Sequence, residues 1–134
     1  MIKFTDMKSI ERQKERLNEL LKLCAENPDL PVICAVYSEI VCDDSYGWWL
    51  GSIGCGARVD SAVTTSDGSI IFRSDDDDNY HYETFFDEDE IDPDATDEEV
   101  KEKVDGLPWM RCIVVHIELP DCRIPNRDGE MLAI

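Results

Sequence analysis

The chain has 134 residues, 43% of them hydrophobic, and a formal net charge of −18. That length fits one domain that buries a core without disulfides or metal, and three Trp, four Tyr and four Phe beside dense Ile, Val and Leu exclude a disordered chain. So acidic a balance argues against direct binding to nucleic acid or an anionic membrane and favours basic partners or cations.

The charge is concentrated in one block. Residues 75–105 hold 16 acids against Lys101 and Lys103, whereas residues 1–23 hold six bases against four acids. The opening "MIKFTDMKSIERQKER" has no apolar h-region, and no apolar run approaches the roughly 18 residues a bilayer span requires, so a cytoplasmic protein is expected. In a reducing compartment the six cysteines do not read as a disulfide framework. Cys24, Cys34, Cys55 and Cys112 sit in apolar or small-residue settings and are expected in the core.

In chain order, residues 5–26 read as a helix, because Met7, Ile10, Leu17, Leu20, Leu21 and Cys24 recur at spacings of three and four. Thr5 or Ser9 supplies a cap, and Asn27-Pro28 ends the helix. "LPVICAVYSEIV" reads as a strand buried on both faces, and "CDDSYG" as a turn. "WWLGSIGCGARVDSAVTT" is a second strand, whose Gly51, Gly54 and Gly56 mark a bulge, a bend or a close backbone approach. "SDG" at 66–68 is a hairpin signal leading into "SIIFR". A meander of three antiparallel strands is the simplest arrangement.

An acidic connector, 74–94, follows and reads as mobile. Within it "YHYETFF" as a strand would put Tyr80, Tyr82 and Phe86 on one face and His81, Glu83 and Phe85 on the other, though the same residues also suit the start of a helix. "DPDATDEEVKEKVDGL" reads as a short helix, with Asp94 or Thr96 as cap, Glu98 and Glu99 in the first turn, Val100 and Val104 as its apolar pair and Gly106 as the stop. "WMRCIVVHIEL" closes the core as a buried strand, and the tail 121–134 reads as mobile. The expected fold is a single α+β domain. It has a mainly antiparallel sheet of about four to five strands, with the N-terminal helix and a second short helix on one face.

No catalytic signature is present: there is no G-x-S-x-G, no phosphate loop and no G-x-G-x-x-G. An EF-hand loop needs a turn glycine at its sixth position and a glutamate at its twelfth. Counting from Asp75 these positions are Tyr80 and Phe86; counting from Asp87 they are Asp92 and Glu98, with Ile91 at the fifth. No two cysteines have zinc-pair spacing, and Cys112 and His116 on a strand lie roughly 13 Å apart, too far to share a metal. His116 reads as a structural histidine in or beside a buried strand, and His81 as a solvated one among acids. Neither enzymatic activity, nor a cofactor, nor a metal site is expected.

What remains is the acidic surface. From Ser74 to Glu99 there are 14 carboxylates and no Lys or Arg, where protein surfaces usually mix the two signs. Aromatic residues, favoured anchors at interfaces, are interleaved among them. Duplex DNA carries about one charge per 1.7 Å of axis, a density that such a segment approaches. The expected partner-binding set is therefore Asp75, Asp76, Asp77, Asp78, Glu83, Asp87, Glu88, Asp89, Glu90, Asp92 and Asp94 as phosphate substitutes, with Tyr80, Tyr82 and Phe86 as anchors.

The run "ELLKLCAENPDLPVICAVYSEIVCDDSYGWWLGSIG", the late helix and "LPWMRCIVVHIELP" resemble small acidic hypothetical proteins of Firmicutes phages and prophages, over roughly residues 15–120. "ENPDLP", the Asp43, Tyr46, Trp49 and Gly51 region, and "LPW" with its Val-Val strand carry the resemblance. It implies a phage context, in which DNA-mimicking anti-CRISPR and anti-restriction proteins occur, and it supplies no binding residues of its own. The expectation is a non-enzymatic inhibitor that occupies the basic groove of a CRISPR effector or restriction nuclease in the bacterial cytoplasm. The alternative is a phage accessory or scaffold protein that works through the helix 5–26 or Trp48–Trp49. It would form a homodimer through an exposed strand or the helix, and its acids would serve solubility alone.

Overall fold

A computed structural model describes residues 7–41 and 47–130, and all of their side chains except that of Cys55. The chain runs α1 (Met7–Glu26), β1 (Val32–Val36), a short 3-10 turn (Ser38–Ile40), β2 (Ser52–Thr64), β3 (Ile70–Phe72), α2 (Asp78–Phe85), α3 (Asp97–Asp105) and β4 (Met110–Glu118). The fold is α+β, and among the described residues its sheet has four strands in the order β1-β4-β2-β3. Thr5 and the turn at 42–46 lie outside the described residues.

The sheet is mixed, so the antiparallel meander is corrected. β1 pairs in parallel with β4, from Val32 opposite Ile113 to Val36 opposite Ile117, and β2 pairs antiparallel with β3, from Ala62 opposite Phe72 to Thr64 opposite Ile70. The apolar run of β4 decides this order. Cys112, Ile113 and Val114 are fully buried and Val115 is 3% exposed, a degree of cover that only an interior strand receives. β1 is left at the edge. Its Val32, Cys34 and Val36 are exposed, which overturns the expectation of a strand buried on both faces and of a core position for Cys34.

The chain divides into two compact units. Unit 1 is Met1–Arg58 with Ile113–Ile134, and unit 2 is Val59–Cys112.

In unit 1, α1 ends as its sequence indicates: Asn27 donates from its backbone N (2.9 Å) and its Nδ2 (3.0 Å) to the Leu23 carbonyl. Its inward face differs from the apolar stripe. Met7, Leu17 and Leu21 are exposed, and the more protected line is Ser9, Gln13, Arg16, Leu20 and Leu23. A polar network explains the rotation. Gln13 Nε2 donates to Asp121 Oδ1 at 2.9 Å, Ser52 Oγ donates to the same oxygen at 2.7 Å, and the Asp121 amide donates back to Ser52 Oγ at 2.9 Å. Arg16 Nη1 donates to the Ile53 carbonyl at 2.6 Å, and both Arg12 and Arg16 stand 4.0 Å from Asp121 Oδ2. Part of the tail 121–134 is thus tied to α1 and β2 by its first residue.

The glycines of β2 allow close approach. A Cβ on Gly51 would lie 2.7 Å from Ile117 Cγ2, and Gly56 has φ +58 with Glu19 Oε2 2.8 Å from where its Cβ would be.

Burial alone would push the Asp121 carboxyl up, but hydrogen bonds from Gln13 and Ser52, and the charge of Arg12, hold it below the ordinary carboxylate value. A lowered folded value means that the ionised form stabilises the fold. That contribution is complete above the unfolded value near 4 and is lost as pH falls through the folded one. Asp121→Asn should cost about 1 kcal/mol at neutral pH, and its stability should decline less than wild type as acid is added. Urea titrations at neutral and acidic pH, comparing the two proteins, check both expectations.

Candidate functional site

Unit 2 carries most of the charge. Its residues 59–112 hold 18 acids and four bases, a net of −14 in a chain of −18. The acidic segment in it has a defined local structure. Asp77 caps α2, its side chain accepting from the Tyr80 amide at 2.8 Å, and Thr96 caps α3, accepting from the Glu99 amide at 3.2 Å. Short polar side chains at these positions satisfy amides that the helix leaves unpaired. The "YHYETFF" segment is therefore helical through Phe85, which decides for the helix between the two readings that its sequence allows. In the α3 sequence the expected Thr96 cap, the Val100 and Val104 pair and the Gly106 stop all appear.

Beneath this surface Tyr82, Val100 and Val104 form a buried cluster against which Phe86, Ile91, Ala95 and Trp109 pack. The Tyr82 hydroxyl accepts from the Asp92 amide at 3.0 Å and so pins the turn that carries Asp87, Glu88, Asp89 and Glu90. Trp109 Nε1 donates to the Val104 carbonyl at 2.7 Å, fixing the end of α3. Of the three expected aromatic anchors, only Tyr80 is exposed, at 46%. Tyr82 and Phe86 serve the core, because α2 turns them toward α3.

The acids also divide by position. Asp75, Asp76, Asp77, Glu83, Asp87, Glu88, Asp89, Glu90, Asp92 and Asp94 are exposed, as are Asp97, Glu98, Glu99 and Glu102 of α3. Asp78 is half-buried because it pairs with Arg73. The Arg73 guanidinium also reaches Asp105 Oδ1 at 3.3 Å and lies 5.7 Å from the Trp109 ring centroid. Burial opposes its charge, but the bonds to Asp78 and Asp105 outweigh that and raise its pKa further. Asp105 is held below the usual carboxylate range, first by Lys101 Nζ at 2.7 Å and then by Arg73.

His81 is not solvated. It is fully buried, with Nε2 3.1 Å from the Arg73 carbonyl and its ring edge-on to Tyr80 and Trp109. A bond to a carbonyl requires the proton on Nε2, which leaves the buried Nδ1 without a partner.

Two residues that the sequence reading passed over hold this arrangement together. Asp60, 7% exposed near the end of β2, accepts from the amides of Ser61 (2.7 Å) and Ser74 (3.3 Å) and from the Ser74 hydroxyl. It anchors the start of the acidic run. Arg73 had a sequence signal, since no other Lys or Arg occurs from Val59 to Val100. A lone cation in so acidic a stretch is a natural internal counter-ion.

Two further features bear on chemistry. Asp87, Asp89 and Glu90 can bring ligand oxygens within 4.8 Å of one another, although Glu90 Oε1 already accepts from the Asp87 amide at 3.1 Å. Exposed acids so grouped are common without an ion. Beside α3 lies an open depression of about 530 Å³ lined by Phe86, Glu99, Glu102, Lys103, Gly106, Leu107 and Pro108, with apolar residues beside two glutamates and one lysine. No protein-family profile, curated protein or solved structure matches the chain.

The four adjacent aspartates should therefore behave differently. Asp77→Ala should cost about 1 kcal/mol through loss of the α2 cap, while Asp76→Ala should stay within about 0.5 kcal/mol of wild type. Thermal melts of the two variants make the comparison.

Proposed function

We propose that this protein is a non-enzymatic inhibitor that occupies the basic nucleic-acid groove of a host defence protein, a CRISPR effector or restriction nuclease, with the acidic surface of residues 75–105. The observation that carries the reading is the fixing of exposed carboxylates on two capped helices and a pinned turn. A flexible acidic tail loses conformational entropy when it binds, whereas carboxylates already held in place present a pre-organised field. The depression beside α3 adds a second element. Its apolar floor suits the stem of a lysine or arginine from the partner, and Glu99 and Glu102, offset in part by Lys103, face the charged head. Asp77 and Asp78 contribute to the field while also serving the fold, so the most direct recognition falls to Asp76, Glu83, Asp87, Glu88, Asp89, Glu98 and Glu102, with Tyr80 as the remaining aromatic contact.

The exposed apolar residues of unit 1 favour a second reading, an accessory protein with an apolar interface. Trp48 is 94% exposed and Val36 52%.

A competition assay separates the two. Labelled duplex DNA bound to a purified restriction endonuclease or Cas9-type effector should be displaced at low salt, and direct binding of this protein to the DNA-free nuclease should weaken as salt is added, because exposed charges are screened within about 8 Å at physiological ionic strength. Glu83→Lys, Glu88→Lys, Glu98→Lys and Glu102→Lys combined should weaken displacement at least about tenfold without altering the circular dichroism spectrum. Displacement unchanged by those four substitutions would remove the acidic surface from the mechanism.

A further inference from the structure

We propose that β1 is the pairing edge of a symmetric homodimer, in which two copies join their sheets by antiparallel β1–β1 contact centred on Cys34. Among the described residues β1 has β4 on one side and no strand on the other. Its backbone groups are already sorted. Tyr37 N donates to the Ile117 carbonyl at 2.7 Å, and Ile113 N donates to the Pro31 carbonyl at 2.8 Å. The odd-numbered residues thus turn their N–H and C=O toward β4. Strand backbone alternates, so Val32, Cys34 and Val36 turn theirs to the open edge.

Open apolar edges are a hazard that proteins normally blunt with charge, proline, a bulge or a cover. β1 reads Val-Ile-Cys-Ala-Val, with no charge and no proline, and its outward residues Val32 and Val36 are 46% and 52% exposed. An edge left in this state is built to be paired.

The occupant follows from symmetry and charge. An isologous contact requires a surface that complements itself. With Cys34 on the two-fold axis, Val32 faces Val36 of the second copy and Val36 faces Val32. Every outward N–H meets an outward C=O, and valine meets valine on the same side of the sheet. The charge distribution agrees. Unit 1 carries 13 acids and nine bases, a net of −4, against −14 in unit 2. Two copies joined through unit 1 bring together their less charged parts, whereas a basic foreign partner is drawn to unit 2. The inference stands apart from the acidic-surface reading, and the two have opposite salt responses: added salt screens repulsion between like-charged copies and favours the dimer, but weakens binding to a basic groove.

Hydrogen-bonded positions in an antiparallel pair lie about 5.5 Å apart between Cα atoms, within the range that thiol cross-links accept. Sedimentation of the full chain over a wide concentration range should show a monomer–dimer equilibrium that shifts toward dimer as salt is added. Val36→Lys should raise the dimer dissociation constant at least about tenfold while leaving the circular dichroism spectrum unchanged. A short bis-maleimide should join two wild-type chains, and Cys34→Ser should abolish that product. The cross-link reports on wild-type protein and so does not depend on the folding of either variant. A protein monomeric at every concentration and salt would overturn the proposal. So would a dimer insensitive to Val36→Lys, or one that forms without a cross-link through Cys34.

Discussion

A segment of 54 residues with a net charge of −14 has to be held together against its own repulsion, and Arg73 is where unit 2 meets that constraint. Its guanidinium joins Asp78, at the start of α2, to Asp105, at the end of α3. It also lies against the Trp109 ring, and its carbonyl takes the buried His81. One cation thus fixes both helices on which the exposed carboxylates stand. Its placement follows helix electrostatics only in part. Asp78 at an N-terminus is favoured by the helix dipole, whereas Asp105 at a C-terminus is opposed by it. Arg73 and Lys101 offset that second contact.

The same logic divides the acids by role. Asp60, Asp77 and Asp78 spend their oxygens inside the protein, on backbone amides, hydroxyls or Arg73. Among the exposed carboxylates around them, Glu90 and Asp92 also accept backbone amides, from Asp87 and Asp94. Aromatic residues divide likewise: Tyr82, Phe86 and Trp109 build the floor, and Tyr80 faces solvent. The acidic surface therefore presents charge at fixed positions, with little exposed apolar area among it.

The α+β class, the α3 capping pattern and the buried closing strand were legible because each is a local signal: Thr96 before Glu99, Val100 four residues from Val104, and an unbroken apolar run in β4. Helix α2 was ambiguous because Tyr80, Tyr82 and Phe86 satisfy both a two-residue and a four-residue spacing, and only the contacts with α3 decide between them. The parallel pairing of β1 was invisible. "VICAV" reads as a buried strand by composition, yet its partner lies far along the chain, and Val32, Cys34 and Val36 are exposed among the described residues. The inward face of α1 was misread for a similar reason, since Asp121, more than 90 residues beyond the helix, draws in Gln13 and the neighbouring arginines. Local periodicity does not register an attraction of that range.

The division into units also bears on the cost of closing the chain. Unit 2 is one continuous stretch, Val59–Cys112, so every contact inside it closes a loop shorter than the stretch itself. Unit 1 is made from the two ends of the chain, and its β1–β4 ladder joins Val32 to Ile113. The entropy of closing that large loop falls wherever the intervening residues are already compact. A compact unit 2 therefore shortens the effective loop that must close before Val32 meets Ile113.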